Sequence, residues 1–344
     1  MAINAPVPPA RDAATGAAPT RRALLGACAL PALAGCGPRI EGLGPVTTTA
    51  RLDESAPSEG ALVMQDGYRL KLRRWLPEGT PRAVILAVHG FNDHSGAWDI
   101  PAPLLTDQGF ALYAYDQRGF GATVTRGIWP GVDALAADCT TATRLVAARH
   151  PGLPLALMGE SMGGAVLLVA GSQPPESRPP AQAWVLLAPA VWGRSTMNAM
   201  ARGMLWVVSH TLPSMAVSGA NPVIKVTDDE EVLKALSRDP MLIRQTRMDA
   251  VAGIVDMMDA ARTAAPLFDP GPALIVWAGR DDLIPNGATR SFLDLLPPAP
   301  PADRTVLFDS AGYHLLLRDT GRGARATEIG QFLGNHLPLP RIAG

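Results

Sequence analysis

Apolar runs of strand length punctuate this chain at residues 83–88, 110–115, 155–158, 184–188 and 274–277, with a more mixed run at 304–308. A strand that is apolar on both faces belongs to a sheet covered by helices on both sides. Helical periodicity fills the intervals, most clearly over 133–149 and 161–170 and again near 289–296 and 324–333. Strands alternating with helices predict a mainly parallel, doubly wound α/β sheet with right-handed crossovers. The start of the fold differs. Runs 61–65 and 68–73 flank Asp66-Gly67, a strong hairpin signal. Tyr68, Leu70 and Leu72 alternate with Arg69, Lys71 and Arg73, which leaves one face wet and predicts an antiparallel pair at the sheet edge.

One connection is too long for a simple crossover. About eighty residues separate the strand ending near Pro189 from the one starting near Ala273, and they carry helical patterns of their own. Met197, Met200, Met204, Leu205 and Val208 fall on one helical face, and Val251, Ile254, Val255 and Met258 on another. Eight of the 12 methionines lie between residues 197 and 258. Methionine adapts to varied apolar shapes, so the insertion, about residues 190–265, is expected to cap an apolar channel. Packing of the insertion onto the main domain is the better account of any single methionine.

Composition narrows the field. At 344 residues, 47% hydrophobic and 18% charged, the chain suits one elaborated α/β domain. A formal net charge of -1, without a basic run, sets nucleic-acid binding aside. Thr20-Arg21-Arg22 precedes a short apolar segment, residues 23–34, which falls well below the roughly 20 residues that span a bilayer. Charge followed by a short apolar core is the layout of an export signal. Its end, Leu33-Ala34-Gly35-Cys36, resembles a bacterial lipobox, and the paired arginines resemble a twin-arginine signal. Residues 1–35 are therefore expected to be removed. Cys36 would be lipidated and residues 36–60, rich in Gly, Pro, Thr and Ser, would tether the domain of residues 61–338. The expected location is a membrane facing the periplasm. Cys28 would leave with the signal, and Cys139, in a helical pattern, is expected to be a buried, inert thiol. The six histidines are scattered and form no metal-ligand cluster.

The chemistry centres on Gly159-Glu160-Ser161-Met162-Gly163, which follows the apolar run 154–158 and opens a helical run, 164–170. Strand, tight turn and helix predict a nucleophile elbow, in which a strained turn lifts the serine hydroxyl clear of the sheet at a helix N-terminus. A serine hydroxyl needs a base, and the base an orienting acid, in the chain order Ser, Asp or Glu, His. His314 follows the last predicted strand, where a loop can bring it over the serine. His150, His210 and His336 read as surface or packing residues. For the acid, the loop after 274–277 offers Asp281 and Asp282. Counting back from Ile284-Pro285 selects Asp281, and counting forward from Gly279 selects Asp282; the proline is the firmer anchor, so Asp281 is preferred. The oxyanion hole requires two backbone amides, expected from Met162 and from Phe91 in the loop His89-Gly90-Phe91-Asn92-Asp93-His94-Ser95-Gly96. His89 and His94 are expected to be local hydrogen-bonding residues rather than bases.

That loop, together with Asp116-Gln117-Arg118-Gly119-Phe120-Gly121, Gly159-Glu160-Ser161-Met162-Gly163-Gly164 and Gly312-Tyr313-His314, resembles the monoacylglycerol lipase and lysophospholipase branch of the α/β-hydrolases. The likeness runs from about Ala61 to about Pro338. Glu160 stands where the family often has histidine, and Asp93 where it often has glutamate; neither change removes a triad residue or an oxyanion donor. The resemblance implies a serine hydrolase of small lipid esters that needs no cofactor and no obligate protein partner. Three rivals remain on the sequence. A peptidase or an acyltransferase would use the same triad, and a non-catalytic lipid-binding lipoprotein would keep the fold alone.

Overall fold

The structure, a computed structural model, describes residues 37–218, 224–300 and 303–338. The lipobox Cys36, Cys28 and the paired arginines lie outside the described residues. Among the described residues the eleven strands are β1 (Arg51–Glu54), β2 (Glu59–Val63), β3 (Arg69–Trp75), β4 (Ala83–Val88), β5 (Phe110–Tyr115), β6 (Leu155–Glu160), β7 (Ala183–Leu187), β8 (Ala216–Ser218), β9 (Gln245–Arg247), β10 (Ala273–Ala278) and β11 (Arg304–Asp309). Among the described residues the eight α-helices are α1 (Pro101–Thr106), α2 (Val132–Arg149), α3 (Met162–Gly171), α4 (Ala199–Thr211), α5 (Glu230–Arg238), α6 (Met248–Ala264), α7 (Asn286–Leu293) and α8 (Arg322–His336).

Nine strands form one sheet in the order β1-β2-β3-β5-β4-β6-β7-β10-β11. From β5 to β11 every pairing is parallel, and β1, β2 and β3 add an antiparallel edge. The five uninterrupted apolar runs are β4, β5, β6, β7 and β10, and each is buried along its whole length. One apolar layer takes Leu86, Leu157 and Leu186 from the sheet together with side chains of α2, α3 and α6. The other takes Ile85, Ala156 and Val185 with side chains of α1 and α8. The mixed run became β11, an edge strand whose Val306 and Phe308 are exposed. Asp66-Gly67 closes the β2–β3 hairpin, with Gly67 at φ 81°, a conformation that glycine takes without a Cβ clash. In α2, burial pushes the Cys139 thiol up to about 12, so it stays protonated and unreactive.

The segment expected to be a tether is partly built into the domain. β1 pairs with β2 in the register Arg51↔Val63, and Asp53 joins Arg51 and Arg69 at 3.0 and 2.8 Å. Upstream, the Glu41 and Gly42 amides donate to the Trp129 and Pro130 carbonyls. Backbone pairing of this kind is blind to side-chain polarity, and β1 holds its edge with charges, so the apolar pattern concealed it. The sheet therefore begins ten residues before the expected boundary at 61.

The long insertion also divides. α4 lies on α6, and β8 pairs with β9, but α6 itself packs against α3 of the main body. The expected methionine face of α4 is not one face in space. Met197 and Leu205 point inward, whereas Met200 and Met204 are 75% and 62% exposed. In α4, Ala201 and Leu205 line the cavity and Leu205 and Val208 are half-buried, which turns their i−1 neighbours Met200, Met204 and Val207 outward.

Leu86 is fully buried at the centre of the sheet. Leu86→Ala should lower the free energy of unfolding by about 2–5 kcal/mol, the range for a leucine cavity in a packed core. Chemical denaturation should show this as a lower midpoint with unchanged slope; a cost below about 1 kcal/mol would mean that the site collapses around the gap.

Candidate active site

Ser161 occupies the turn between β6 and α3 with φ 55° and ψ −116°, backbone angles that L-residues seldom adopt. Its neighbours explain why the turn can be so tight. A Cβ on Gly159 would lie 2.5 Å from the Gly163 carbonyl carbon, and one on Gly163 would be driven into the Val88 carbonyl oxygen. A Cβ on Gly90 would sit 3.3 Å from the Ser161 Cβ, so the loop after β4 rests directly on the serine. The turn is held by the Ser161 amide donating to the Leu187 carbonyl at 2.9 Å. The Ser161 carbonyl accepts from Ala165 at 3.1 Å and from Ala190 at 2.9 Å. Met162 is the first residue of α3, so its amide points out of the helix N-terminus beside the serine.

His314, in the loop between β11 and α8, is buried, and its Nδ1 donates to Asp281 Oδ2 at 2.8 Å. The other Asp281 oxygen accepts from the Leu283 and Ile284 amides, both at 2.8 Å. Asp282 turns away and accepts from the Lys225 amide at 3.1 Å. The carboxylate that reaches the imidazole is thus Asp281. Burial by itself would lower the His314 pKa, but the Asp281 charge and hydrogen bond, with Glu160 nearby, outweigh it and raise it, against a smaller opposing effect of Arg318. Ser161 and His314 line the same cavity, and among the described residues no hydrogen bond joins Ser161 Oγ to the imidazole. Such bonds are often long without substrate and tighten when it binds.

The loop after β4 makes a turn in which the Asp93 amide donates to the Gly90 carbonyl at 3.3 Å. Phe91 faces the cavity from the second position of that turn. Neither its amide nor that of Met162 is taken by an acceptor among the described residues. His89 is fully buried, its Nε2 accepts the Gln117 amide at 3.0 Å, and its Nδ1 lies 2.7 Å from the Gly90 carbonyl. With both ring nitrogens occupied and burial lowering its pKa, it braces the loop as a neutral imidazole. His94 is 2.8 Å from Asp239 through Nε2 and accepts the Gly96 amide at Nδ1. Both histidines are local hydrogen-bonding groups.

Sequence reasoning missed one element of the site. Arg318 is buried and joins Glu160 at 2.5 Å and Asp93 at 3.0 Å. Burial would lower its pKa, but the two carboxylates outweigh this and raise it, so the cation is secure. The bridge ties the elbow, the loop after β4 and the histidine loop together. Its signal was present as two acids next to functional positions, Glu160 before the serine and Asp93 after Phe91, which require a cation if buried. Arg318 ends the apolar stretch Leu315-Leu316-Leu317 and was the only basic residue at hand there.

These groups open onto a cavity of about 1240 Å³, at or beyond the upper end for small-molecule sites. Its far wall is aliphatic: Leu205, Val217, Val251, Ile254, Val255 and Met258. The Val251–Met258 stripe therefore lines the channel as its periodicity suggested, while branched side chains outnumber methionine there. Among the described residues the carboxylates lining the cavity are Asp93 and Glu160, both bonded to Arg318. No described cluster of His, Cys, Asp and Glu has the arrangement to hold a metal ion.

The arrangement is that of an α/β-hydrolase, and comparison with known proteins agrees. Residues 79–321 match the family described as serine aminopeptidase, S33. A monoacylglycerol lipase of Mycolicibacterium smegmatis is 26% identical over 241 residues, covering 70% of this chain and 85% of the relative. The monoglyceride lipase of Homo sapiens is 26% identical over 276 residues, 75% of this chain and 84% of that one. The solved structure of a soluble variant of monoglyceride lipase from Saccharomyces cerevisiae superposes with a TM-score of 0.67 at 18% identity, over 85% of this chain and 98% of the other.

The raised His314 pKa has a definite sign. A protonated imidazole cannot accept the serine proton, so reaction of Ser161 with a fluorophosphonate should slow as pH falls through a value above the ordinary histidine range of about 6.5. Asp281→Asn should slow the same reaction by about 10⁴-fold, and Asp282→Asn by far less. Labelling rates with the opposite order of damage would transfer the orienting role to Asp282.

Proposed function

The chain belongs to the serine aminopeptidase, S33 family, and on that footing we propose that it is a serine hydrolase of carboxylic esters acting on single-chain lipids, monoacylglycerols or lysophospholipids. The observation that carries this reading is the Ser161 elbow and the His314–Asp281 pair opening together onto a large aliphatic cavity. Ser161 Oγ attacks the ester carbonyl carbon while His314 Nε2 takes its proton. The tetrahedral oxyanion accepts hydrogen bonds from the Phe91 and Met162 amides. Collapse breaks the bond to the alcohol, which leaves with the proton from His314. Water then gives a proton to His314 and attacks the acyl-enzyme carbonyl, and the free acid departs as Ser161 recovers its hydrogen.

Three things favour a lipid ester over a peptide. The monoacylglycerol and monoglyceride lipase relatives share most of their length with this chain. The cavity wall is aliphatic, and each methylene buried against it is worth about 0.8 kcal/mol. The family description names an aminopeptidase, which needs an anionic group for the substrate ammonium. Among the described lining residues both carboxylates are already bonded to Arg318, which competes with a substrate ammonium for them.

We also infer that the protein is exported and held on a membrane through lipid on Cys36. The support is the sequence Leu33-Ala34-Gly35-Cys36 after a short charged and apolar segment. No helix among the described residues is long and apolar enough to cross a membrane.

In a purified assay, kcat/KM should rise markedly as the acyl chain lengthens from about four to ten carbons, because part of the added burial is realised in the transition state. Monoacylglycerols or lysophospholipids should outperform short esters and aminoacyl amides, and Ser161→Ala should abolish turnover. Faster cleavage of aminoacyl amides than of every lipid ester would replace this reading with the peptidase.

Expressed in a bacterial host, the wild type should fractionate with membranes and incorporate labelled fatty acid, and Cys36→Ser should remove the label. A soluble, unlabelled wild type would end the lipoprotein reading and leave the enzyme intact.

A further inference from the structure

Asn92, next to Phe91, has φ 62°, a conformation that carries a steric cost for any residue with a Cβ. It sits third in the turn Gly90–Asp93, and Phe91 before it is not among the positive-φ residues. That combination is a type II turn, in which the left-handed residue sets how the preceding peptide is presented. The turn therefore controls the loop that carries the Phe91 amide. Asparagine tolerates this conformation better than other residues with a Cβ, but unlike glycine it still carries a cost that its contacts must offset.

What holds it comes from the insertion. The Asn92 carbonyl accepts the Ile243 amide at 3.0 Å, and Asn92 Nδ2 donates to Thr246 Oγ1 at 2.7 Å. Two residues further along the loop, His94 joins Asp239 at 2.8 Å. Arg126 fixes the same stretch of the insertion by donating to the Pro240 and Leu242 carbonyls. Thr246 is buried in β9, opposite Val217 of β8, and Val217, Leu242, Ile243 and Thr246 all line the cavity. Ile243 and Thr246, which face the cavity, are thus also the residues that grip the oxyanion turn.

We propose that Thr246 and Asn92 are positioning residues: the insertion clamps the turn that presents the Phe91 amide, so that filling the cavity is converted into oxyanion stabilisation. This deepens the serine-hydrolase reading and rests on it. An acyl chain packed against Val217 and Thr246 steadies β9, β9 steadies Asn92, and the benefit falls on the step in which charge develops. Chain-length preference then resides in kcat as well as in KM, since binding energy from a remote group is used at the reacting centre.

The test compares Asn92→Gly and Thr246→Val on p-nitrophenyl butyrate and laurate. Asn92→Gly removes the side-chain tether while a positive φ remains free of cost. Thr246→Val removes the acceptor at nearly constant shape. Each variant should lose about 10- to 100-fold in kcat on both esters, the scale of a misplaced catalytic group, with KM close to wild type. The laurate advantage in kcat should shrink, and the double variant should be no worse than either single one, as for two ends of one interaction. Variants that keep the wild-type kcat, with a raised KM for laurate alone, would show the insertion to be only a wall and overturn the clamp. The unfolding midpoint identifies a variant that fails to fold; if Thr246→Val does, Asn92→Gly, which only removes atoms at a half-buried turn that glycine suits, decides. Fluorophosphonate labelling of wild-type Ser161 separates the two readings. An unlabelled wild type that hydrolyses neither ester removes the hydrolase itself, whereas a labelled wild type with unaffected variants removes the clamp alone.

Discussion

Close backbone contact at Ser161 is the constraint from which the rest of the site follows. The serine holds φ 55° and ψ −116°, a conformation of the kind that costs about 1–3 kcal/mol and persists only where its surroundings over-determine it. Those surroundings are glycines. Gly159 and Gly163 let β6 turn straight into α3, and Gly90 lets the loop after β4 lie on the serine itself. The same compression places the α3 N-terminus and the Phe91 loop on either side of Ser161. A side chain at any of the three would push apart the nucleophile and the amides that are to receive its oxyanion.

Such a turn needs a rigid base, which the fully buried parallel strands β4, β6 and β7 provide. It also needs its loops held together at the open end, where no ladder hydrogen bonds exist. Two devices do this, one ionic and one built from the insertion. Arg318 bridges Glu160 and Asp93 with all three groups largely out of water, so it links the elbow, the loop after β4 and the histidine loop. From the other side, Ile243 and Thr246 engage Asn92, and Asp239 engages His94. The insertion is accordingly both the wall of an aliphatic cavity and a support for the loop beneath it.

Electrostatics divide the histidines in a way that their number could not. Three of them are buried or partly buried near the serine, yet of these only His314 lines the cavity with Ser161, paired to a carboxylate that two backbone amides hold. His89 is pinned neutral by burial and its two loop contacts. His94 spends its ring on Asp239 and Gly96.

Local pattern was enough for much of this protein. Continuous apolar runs required a sheet buried on both faces, Asp66-Gly67 required a hairpin, and Gly159-Glu160-Ser161-Met162-Gly163 between a strand and a helix required a tight turn. These features are set by neighbours in sequence, through backbone sterics and the periodicity of burial. β1 escaped because edge pairing uses backbone groups and surface charge, which leave no apolar signature. The outward turn of Met200 and Met204 escaped because periodicity gives a face but not the direction in which it points. Which aspartate meets His314, which cation bridges Glu160 and Asp93, and what holds Asn92 in a left-handed turn were settled only by tertiary structure. Each joins residues far apart in the chain, with Asp281 33 positions from His314, Glu160 158 from Arg318 and Asn92 154 from Thr246. Spacing along a chain carries no information about such pairs until the sheet and the insertion bring them within hydrogen-bond reach.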